Sequence, residues 1–436
     1  MRPVVVALAL VLALAACGRS DRAERPDAHD APSAQPDRGP DPLILRVARS
    51  GGAARVYAHG RTDSLVWTGD GRVPPLGRIL GFDPEAGKIA FTDDKGVPGR
   101  LDLRLGDVVR ARKTPLAGAA SADGESIYGV EDGTVVRLTP SGDWSFKPPR
   151  PARFVFPQQD GSLLVLASSG SDASQVWRMY PPETKLLDSA TLPHVGRALR
   201  TPAGDRLYVA AGDEVVGLRS RTLERLDDVT FDAPVTAMLA TPSGDRLFVL
   251  TEGREELAVY DRFAQKVRTI ELPGVPTDLR VDPLGRYLLA HAEASDSAWV
   301  IAIGTDRLLG AVRTAWRSDL PFVGYDGAIV AVQGAVVVMI DPETAKERGR
   351  VADGAKDYWY QFRWSGFRPR AAGLDQPVNF DDLTPADSAP VDSAPPAADT
   401  VAPVDTTPRP PGPPPPGDEP PAGSERPAPP VTRPSR

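Results

Sequence analysis

The amino-acid sequence predicts an all-β fold, a β-propeller of about eight, alternatively seven, four-stranded blades. Three observations support this prediction. A turn followed by a strand recurs about every 40 residues, and a hairpin with a polar turn lies between successive copies. No stretch of these repeats shows the 3.6-residue period of an amphipathic helix. A β-propeller is built from such repeats because each blade is a small antiparallel sheet of four strands. The prediction covers residues 43–370 of the 436.

The recurring segment is a glycine-containing turn followed by an apolar strand. Its clearest copies are TPAGDRLYVA at 201–210, TPSGDRLFVL at 241–250 and VDPLGRYLLA at 281–290. Glycine suits such a turn because it adopts positive φ without steric strain, and β-branched and aromatic residues suit the strand. The turn glycines are separated by 37, 37, 43, 40, 41 and 42 residues; they are Gly87, Gly124, Gly161, Gly204, Gly244, Gly285 and Gly327.

A second hairpin lies between these turns. LAVYDRFAQKVRTIEL at 257–272 and VVVMIDPETAKERGRV at 336–351 each contain two apolar strands joined by a polar turn with an aspartate. Segments 214–226 and 175–187 follow the same plan with less regular turns. Each repeat therefore supplies four short strands. A sandwich would not repeat one turn motif at this spacing, and a β-solenoid would show shorter, more regular repeats.

The number of blades depends on how the two ends are counted. Eight spacings near 40 residues fill the body and favour eight blades. A count of seven blades remains an alternative if the weak first copy at 46–58 and the weak last copy at 362–370 combine in one blade. In either case, LILRVA at 43–48 and YWYQFRW at 358–364 are predicted to meet and close the ring, because an open ring would leave unpaired strand edges.

The repeats resemble the YVTN-type propeller repeats of bacterial and archaeal surface proteins. The resemblance is carried by the three clearest turn-and-strand copies, each followed by a hairpin with a polar turn, and it covers roughly residues 80–352. More distantly, the repeats are similar to lactonase-like and WD40-type propellers, although the Gly-His and Trp-Asp dipeptides of WD40 repeats are missing. The resemblance implies a propeller fold and a binding role but no particular ligand, since propellers carry many unrelated functions.

Both ends of the chain differ in composition from the repeats. Residues 18–42 consist largely of Pro, Asp and Arg, and residues 371–436 hold 19 of the 47 prolines and a single aromatic side chain, Phe380. Such segments bury too little apolar surface to offset the loss of chain entropy on folding. We therefore predict a disordered tether at 18–42 and a disordered, Pro-rich tail at 371–436.

Residues 1–17 form a secretory leader that ends in the single cysteine of the chain. The apolar run at 4–16 is shorter than the roughly 20 residues needed to span a bilayer, and its last three residues, Leu14, Ala15 and Ala16, precede Cys17. This pattern resembles the lipobox of bacterial lipoproteins, in which the cysteine thiol receives a diacylglyceryl group. The resemblance implies that Cys17 becomes a lipidated N-terminus whose acyl chains anchor the protein to a membrane.

The charge distribution argues against nucleic acid as a partner. Residues 43–370 contain 42 basic and 42 acidic residues, so the net charge of −7 arises from the two ends of the chain. A domain that binds DNA or RNA carries net or clustered positive charge. The sequence shows neither, and we predict no nucleic-acid binding.

The sequence offers few residues for catalysis. There are four histidines, His29, His59, His194 and His291, and none is paired at a metal-ligand spacing such as HxH or HxxxH. His291 and Glu293 form the most enzyme-like pair, although an exposed strand end is the simpler interpretation. Patterns for a nucleophile elbow, a phosphate loop and an EF-hand are missing. We therefore predict no catalytic residues, no metal site and no cofactor.

The predicted function is that of a membrane-anchored envelope lipoprotein whose propeller binds or scaffolds a protein or ligand without catalysing a reaction. One alternative is a lactonase-like propeller hydrolase, which would need several carboxylates and a histidine at the mouth of the central channel. Another is a wall-associated protein that engages peptidoglycan through or beyond its C-terminal tail. Gly18 follows Cys17 in place of the aspartate that often retains lipoproteins at the inner membrane of enteric-type bacteria, which by resemblance favours the outer membrane.

Overall fold

Antiparallel β-sheets make up almost all of the fold. The computed structural model describes residues 39–168 and 173–367, which form 32 strands in eight four-stranded sheets arranged as a ring. The helical structure in these residues is one short 3₁₀ turn, Gly354–Lys356. The predicted all-β propeller is therefore confirmed.

The strands follow one another around the ring in sequence order. The chain begins with β1 (Asp41–Ala48), β2 (Gly52–Ala58) and β3 (Arg61–Val73). Blade 1 is β4 (Leu76–Asp83), β5 (Lys88–Asp93), β6 (Pro98–Asp102) and β7 (Val108–Arg110), and blade 2 is β8 (Ala117–Ala120), β9 (Ile127–Glu131), β10 (Thr134–Thr139) and β11 (Gly142–Phe146). Blade 3 is β12 (Ala152–Pro157), β13 (Leu163–Ala167), β14 (Ser174–Met179) and β15 (Leu186–Leu192), and blade 4 is β16 (Arg197–Arg200), β17 (Arg206–Ala211), β18 (Glu214–Arg219) and β19 (Arg225–Thr230). Blade 5 is β20 (Val235–Ala240), β21 (Arg246–Thr251), β22 (Glu256–Asp261) and β23 (Lys266–Glu271), and blade 6 is β24 (Asp278–Val281), β25 (Tyr287–His291), β26 (Ser297–Ala302) and β27 (Arg307–Arg313). Blade 7 is β28 (Phe322–Val323), β29 (Ile329–Gln333), β30 (Val336–Ile340) and β31 (Glu347–Val351), and β32 (Asp357–Trp364) is the last strand.

The two ends of the described chain share one blade, which we call the closing blade. Its strands lie in the order β3-β2-β1-β32, so the last strand of the described residues pairs with the first. The pairing is in register over eight residues, from Asp41 opposite Trp364 to Ala48 opposite Asp357. The predicted meeting of 43–48 with 358–364 is confirmed. Because β1 begins at Asp41, the strand starts two residues inside the segment predicted as a disordered tether.

The closing blade also decides the blade number. The weak first and last copies do combine in one blade, the condition under which seven blades seemed possible. Each of the seven turn glycines nevertheless belongs to a blade of its own, so the shared blade is the eighth. The favoured count of eight is correct.

The hydrophobic core lies between blades. Buried apolar residues fall into eight clusters, and each cluster joins side chains from two adjacent blades. The cluster between blades 5 and 6, for example, includes Phe248 and Leu250 from one sheet and Leu288 and Ile301 from the next. Both faces of each blade are thus covered, which explains why the second and third strands read as continuous apolar runs.

Arginines connect neighbouring blades by donating to backbone carbonyl groups. Arg280 Nη1 donates to Pro321 O at 2.8 Å, and Arg153 Nη1 donates to Val195 O at 3.2 Å. Donor and acceptor are about one repeat apart, as in these further pairs: Arg78 to Ala119, Arg100 to Leu138, Arg268 to Thr305, Arg286 to Gly324 and Arg317 to Ala355. Arginine suits this role because its planar guanidinium carries five donors in a fixed geometry.

Candidate functional site

The first strand of blades 1 to 7, and β32 of the closing blade, lie nearest the axis of the ring. β4 contacts β32 and β8, and β20 contacts β16 and β24, so these inner strands surround a central channel. Since neighbouring strands are antiparallel, the turns after the first strands all lie on one face, which we call the turn face. The hairpins between second and third strands lie on the opposite face. All seven turn glycines have positive φ, from 71° at Gly87 to 87° at Gly327.

A cavity of about 700 Å³ opens where the channel reaches the turn face. We call it the channel-mouth cavity. Blades 7, 1, 2 and 3 and the closing blade all contribute to its wall, as expected for a space near the axis. The lining residues are Phe82, Asp83, Pro84, Glu85, Ala122, Asp123, Gln159, Tyr325, Tyr360, Gln361, Phe362 and Arg363.

Aromatic side chains form one wall of the channel-mouth cavity. The rings of Phe82 and Phe362 meet edge to face at 5.1 Å between centroids, and those of Tyr360 and Phe362 lie nearly parallel at 6.0 Å. Tyr360 and Phe362 are two residues apart on β32 and therefore share one face of the strand. Burial raises the pKa of the Tyr360 and Tyr325 phenols, so both remain neutral at physiological pH.

Acidic side chains dominate the polar part of the same cavity. Asp83 Oδ1 accepts the amides of Glu85 and Ala86 at 2.8 and 2.9 Å, which fixes the turn of blade 1. Asp123 Oδ1 similarly accepts two amides in the turn of blade 2. Among the described residues, the Glu85 carboxylate has no hydrogen bond or ion pair. Arg363 is the one basic residue of the lining, and its guanidinium carbon lies 5.6 Å from the centre of the Tyr325 ring.

One histidine contacts a carboxylate on the turn face. His59 Nε2 lies 2.8 Å from Asp326 Oδ1. This contact joins the β2–β3 hairpin of the closing blade to the turn of blade 7. The hydrogen bond with His59 is the largest cause that lowers the pKa of Asp326 to about 2. The other ring nitrogen of His59, Nδ1, is buried without a hydrogen-bond partner. A small cavity of about 70 Å³ adjoins the pair.

The other histidines do not join this pair. His291 is buried rather than exposed, so the sequence interpretation of an exposed strand end is wrong; its ring stacks on Trp316 at 4.7 Å and hydrogen-bonds Ser295 O at 3.0 Å. Trp316 comes from the loop before blade 7, which the sequence pattern did not reveal. Glu293 lies exposed in the following hairpin. His194 is exposed in the loop between β15 and β16, and His29 lies outside the described residues.

Residues 39–168 and 173–367 contain neither a candidate metal site nor a candidate membrane-spanning helix. No group of three or more His, Cys, Asp or Glu side chains lies close enough there to hold a metal ion. No helix in that part of the chain is long and apolar enough to cross a membrane. The predicted lipidation site Cys17, its lipobox residues Leu14, Ala15 and Ala16, and the Pro-rich tail lie outside the described residues.

Known structures share the fold at low sequence identity. AztD from Citrobacter koseri superposes with a TM-score of 0.54 at 13% identity, covering 75% of this chain and 99% of that chain. The dihydro-heme d1 dehydrogenase NirN, in complex with DHE, gives a TM-score of 0.51 at 15% identity, covering 72% of this chain and 75% of that chain. A eukaryotic initiation factor gives 0.52 at 10% identity, covering 74% of this chain and 98% of that chain.

These likenesses are evidence for the fold alone. The three proteins have unrelated names, as expected for a fold whose loops vary independently of its framework. No protein-family model matches the sequence, and the comparison with curated proteins also gives no match. The channel-mouth cavity and its surroundings are therefore the best guide to function.

The sequence pattern does not identify the residues of the channel-mouth cavity. It predicts a closing strand at 358–364, which is correct, but it does not place Tyr360 or Phe362 at a cavity. The pattern of repeats does not single out the turn residue Tyr325 either. An available signal was the aromatic side chain at a turn position where the corresponding residues of blades 4 to 6 are Pro202, Pro242 and Pro283.

Proposed function

We propose that this chain is a membrane-anchored envelope lipoprotein whose propeller binds a ligand or partner protein at the channel-mouth cavity and catalyses no reaction. The channel-mouth cavity carries the proposal. Its volume of about 700 Å³ lies in the range usual for ligand sites, and such sites combine apolar walls with a few convergent polar groups. The aromatic wall and the polar side chains opposite it fit that description.

The lining indicates the chemistry of the ligand. Asp83, Glu85 and Asp123 bring three carboxylates to the cavity, against one guanidinium from Arg363. Aromatic faces attract cations, and carboxylates accept hydrogen bonds from donors. A group with an apolar or aromatic body and a positively charged or hydrogen-bond-donating edge is therefore the best match.

The anchoring part of the proposal rests on the sequence. A lipid attached at Cys17 would hold the ring near a membrane through residues 18–40, the part of the predicted tether that precedes β1. A flexible chain of 23 residues has a root-mean-square span of about 24–29 Å. The ring would thus stay close to the bilayer, where it can meet other envelope components.

The binding proposal is tested with one charge reversal on each face of the ring. Glu85→Lys reverses a free carboxylate in the channel-mouth cavity, and Glu252→Lys makes the same change in an exposed hairpin on the opposite face. Full-length protein with each change is used to capture partners from envelope extracts, with captured proteins and peptidoglycan fragments quantified against wild type. We expect Glu85→Lys to lose the bound material and Glu252→Lys to retain it; equal capture by both would contradict the proposed site.

The anchoring proposal is tested at the lipidation site. Cys17→Ala removes the only thiol in the chain and should move the protein from the membrane fraction to the soluble fraction. Cys17→Ser is the matched control, since it keeps a side chain of similar size that also cannot receive the lipid. Circular dichroism should show the same β-sheet signal in both variants. Retention of either variant in the membrane fraction would refute lipid anchoring.

A hydrolase is the second candidate, and the His59–Asp326 pair is the observation in its favour. The adjoining cavity of about 70 Å³ is well below the roughly 300 Å³ at which ligand sites usually begin. The channel-mouth cavity has carboxylates, but its described lining contains no histidine. Lactone-opening assays with wild type and His59→Gln decide the matter: activity that depends on His59 would favour the hydrolase over the binding module.

A further inference from the structure

A second pocket lies on the turn face between blades 3 and 4. It has a volume of about 120 Å³ and is bounded by the turn of blade 3, the turn of blade 4 and the hairpin between β18 and β19. Gln159 lines both this pocket and the channel-mouth cavity. Ala203, Gly204 and Arg221 connect the pocket to a larger cleft of about 370 Å³ that extends toward blade 5.

Two hydrogen-bond donors, one in the lining of this pocket and one behind its wall, lack partners within the protein. Ser220 is only 2% exposed, lines the pocket, and its hydroxyl makes no hydrogen bond. Arg200 ends β16, and its buried Nη1 also makes no hydrogen bond. Native proteins rarely bury polar groups without partners, because such groups lose their hydration and gain nothing in return. Two such donors at one pocket indicate a missing acceptor.

Arg200 differs from the arginines that connect blades. Arg100 and Arg280 donate to the carbonyl oxygens of Leu138 and Pro321. Burial lowers the pKa of all three guanidinium groups. Nearby carboxylates oppose this lowering in part for Arg100 and Arg280, whereas none does so for Arg200. Arg200 is therefore a partly buried cation without a counter-charge.

The Arg200 guanidinium lies next to Gly204, a residue of the pocket wall. A Cβ on Gly204 would stand 3.5 Å from Arg200 Nη1 and 3.2 Å from Gln158 Oε1. Both Gly204 and Gln158 line the pocket, so the guanidinium lies directly behind its wall.

The charges around the pocket favour an anion. Asp160 is its one carboxylate, and that group already accepts the Ser162 hydroxyl at 2.6 Å and pairs with Arg178 at 3.3 Å. Arg221 lines the pocket and makes no ion pair among the described residues. In the adjoining cleft, Arg206 and Arg262 share one carboxylate, that of Asp205, each at 3.7 Å. Positive charge is thus left unbalanced on this part of the turn face.

We propose that the pocket between blades 3 and 4 binds the oxyanion of a small molecule, a phosphate or carboxylate group, through Arg200, Arg221 and the Ser220 hydroxyl. Arg200 and Arg221 supply positive charge, and Ser220 donates a hydrogen bond. Charge-assisted hydrogen bonds of this kind are the strongest that proteins form, and guanidinium geometry matches both groups. The proposal does not depend on the channel-mouth cavity, because none of these three residues lines that cavity.

The experiment measures anion binding by the full-length protein. Inorganic phosphate and acetate are titrated separately by calorimetry, and thermal unfolding is followed at increasing concentrations of each. We expect one of the two to bind and to raise the melting temperature, and which one binds distinguishes a phosphate from a carboxylate ligand. Arg200→Met should weaken binding at least about tenfold, and Ser220→Ala should weaken it several-fold.

The melting temperature without anion separates a binding role from a structural one. Arg200→Met removes an unpaired buried charge, so the melting temperature of the anion-free protein should stay the same or rise. A structural arginine would lower it. Arg307→Met is the matched control, since Arg307 is exposed on the same face with no hydrogen bond or ion pair in the described residues, and it should bind like wild type.

Three results would overturn the proposal. One is that neither anion binds at millimolar concentration. Another is that Arg307→Met weakens binding as much as Arg200→Met, which would show nonspecific attraction to the face. The third is unchanged binding in Ser220→Ala together with a lowered melting temperature in Arg200→Met, which would make both residues structural.

Discussion

Blades 4 and 5 begin with the same turn but surround it with different side chains. In both, a threonine hydroxyl donates to the aspartate four residues later, from Thr201 to Asp205 at 2.8 Å and from Thr241 to Asp245 at 2.5 Å. The residue before the threonine is Arg200 in blade 4 and the fully buried Ala240 in blade 5. The shared residues build the turn, and the residue that differs supplies the unpaired charge.

The hairpins beside the two turns differ in the same sense. In blade 5, Asp261 Oδ1 accepts the amides of Phe263 and Gln265 at 2.8 and 2.9 Å and so stabilises its own turn. Arg219 holds the corresponding position in blade 4 and pairs with Glu224 at 3.2 Å. Where blade 5 has a carboxylate that is hydrogen-bonded within its own turn, blade 4 therefore has a guanidinium. Departures from the repeat, rather than the repeat itself, therefore mark the candidate oxyanion pocket.

The largest expected effect concerns a position where the two blades agree. Phe248 and Tyr208 occupy the same place after the turn, and both are buried between blades. Phe248→Ala should lower the free energy of unfolding by about 3–5 kcal/mol, because it leaves a cavity in a packed core. Tyr208→Ala should have a similar effect. Urea denaturation measures both.

An exposed aromatic side chain on the same blade provides the control for this prediction. Phe263 is 61% exposed, and Phe263→Ala should change the free energy of unfolding by less than about 0.5 kcal/mol. If Phe248→Ala costs no more than Phe263→Ala, the strand after the turn does not have the structural role that the repeat indicates.

The sequence was sufficient for the fold because the repeat is local. Turn glycines, apolar strands and polar hairpins are all encoded within about 40 consecutive residues, so periodicity alone predicts the blades. The ring closure was also predictable, since 43–48 and 358–364 were the two apolar strands left without a partner. Choosing eight blades over seven required the structure, because the pairing of β1 with β32 shows that the two ends form one additional blade.

The candidate sites were largely invisible because they combine residues from several repeats. His59 and Asp326 are 267 positions apart, and the channel-mouth cavity draws on five blades. Nothing in one sequence predicts which loops meet near the axis. Arg200 is different, since the corresponding residues before the turns are uncharged: Ala120, Pro157, Ala240, Val281 and Val323. Superposing the repeats on one another would have identified it.

An intermediate effect is expected at the turn glycines of the two blades. Gly204 and Gly244 have φ of 73° and 71°, so alanine at either position should cost about 1–2 kcal/mol of unfolding free energy. A Cβ on Gly244 would meet Asp205 Oδ1 at 3.7 Å, which is ordinary contact, whereas one on Gly204 would stand closer to Gln158 Oε1, at 3.2 Å. Gly204→Ala should therefore destabilise the protein more than Gly244→Ala. Equal unfolding free energies in urea would show that the space behind Gly204 is of no consequence.

The smallest effect extends the comparison to the turn of blade 7, where the carboxylate pairs with another blade. Asp326 has a pKa of about 2, below its ordinary 3.8, so its ionised form stabilises the fold above pH 4, and this contribution is lost as the pH falls toward 2. Asp326→Asn should flatten that part of the stability curve. Asp245→Asn is the control. The hydroxyls of Ser243 and Thr241 lower the pKa of Asp245, so this variant should change the slope of stability against pH in the same direction, but through hydrogen bonds within a single turn. Adding His59→Gln distinguishes the two. Alone, His59→Gln should flatten the stability curve as Asp326→Asn does, and combined with Asp326→Asn it should cause no further change. Combined with Asp245→Asn, the two changes in unfolding free energy should add. Additive changes with Asp326→Asn would contradict the proposed pairing of Asp326 with His59.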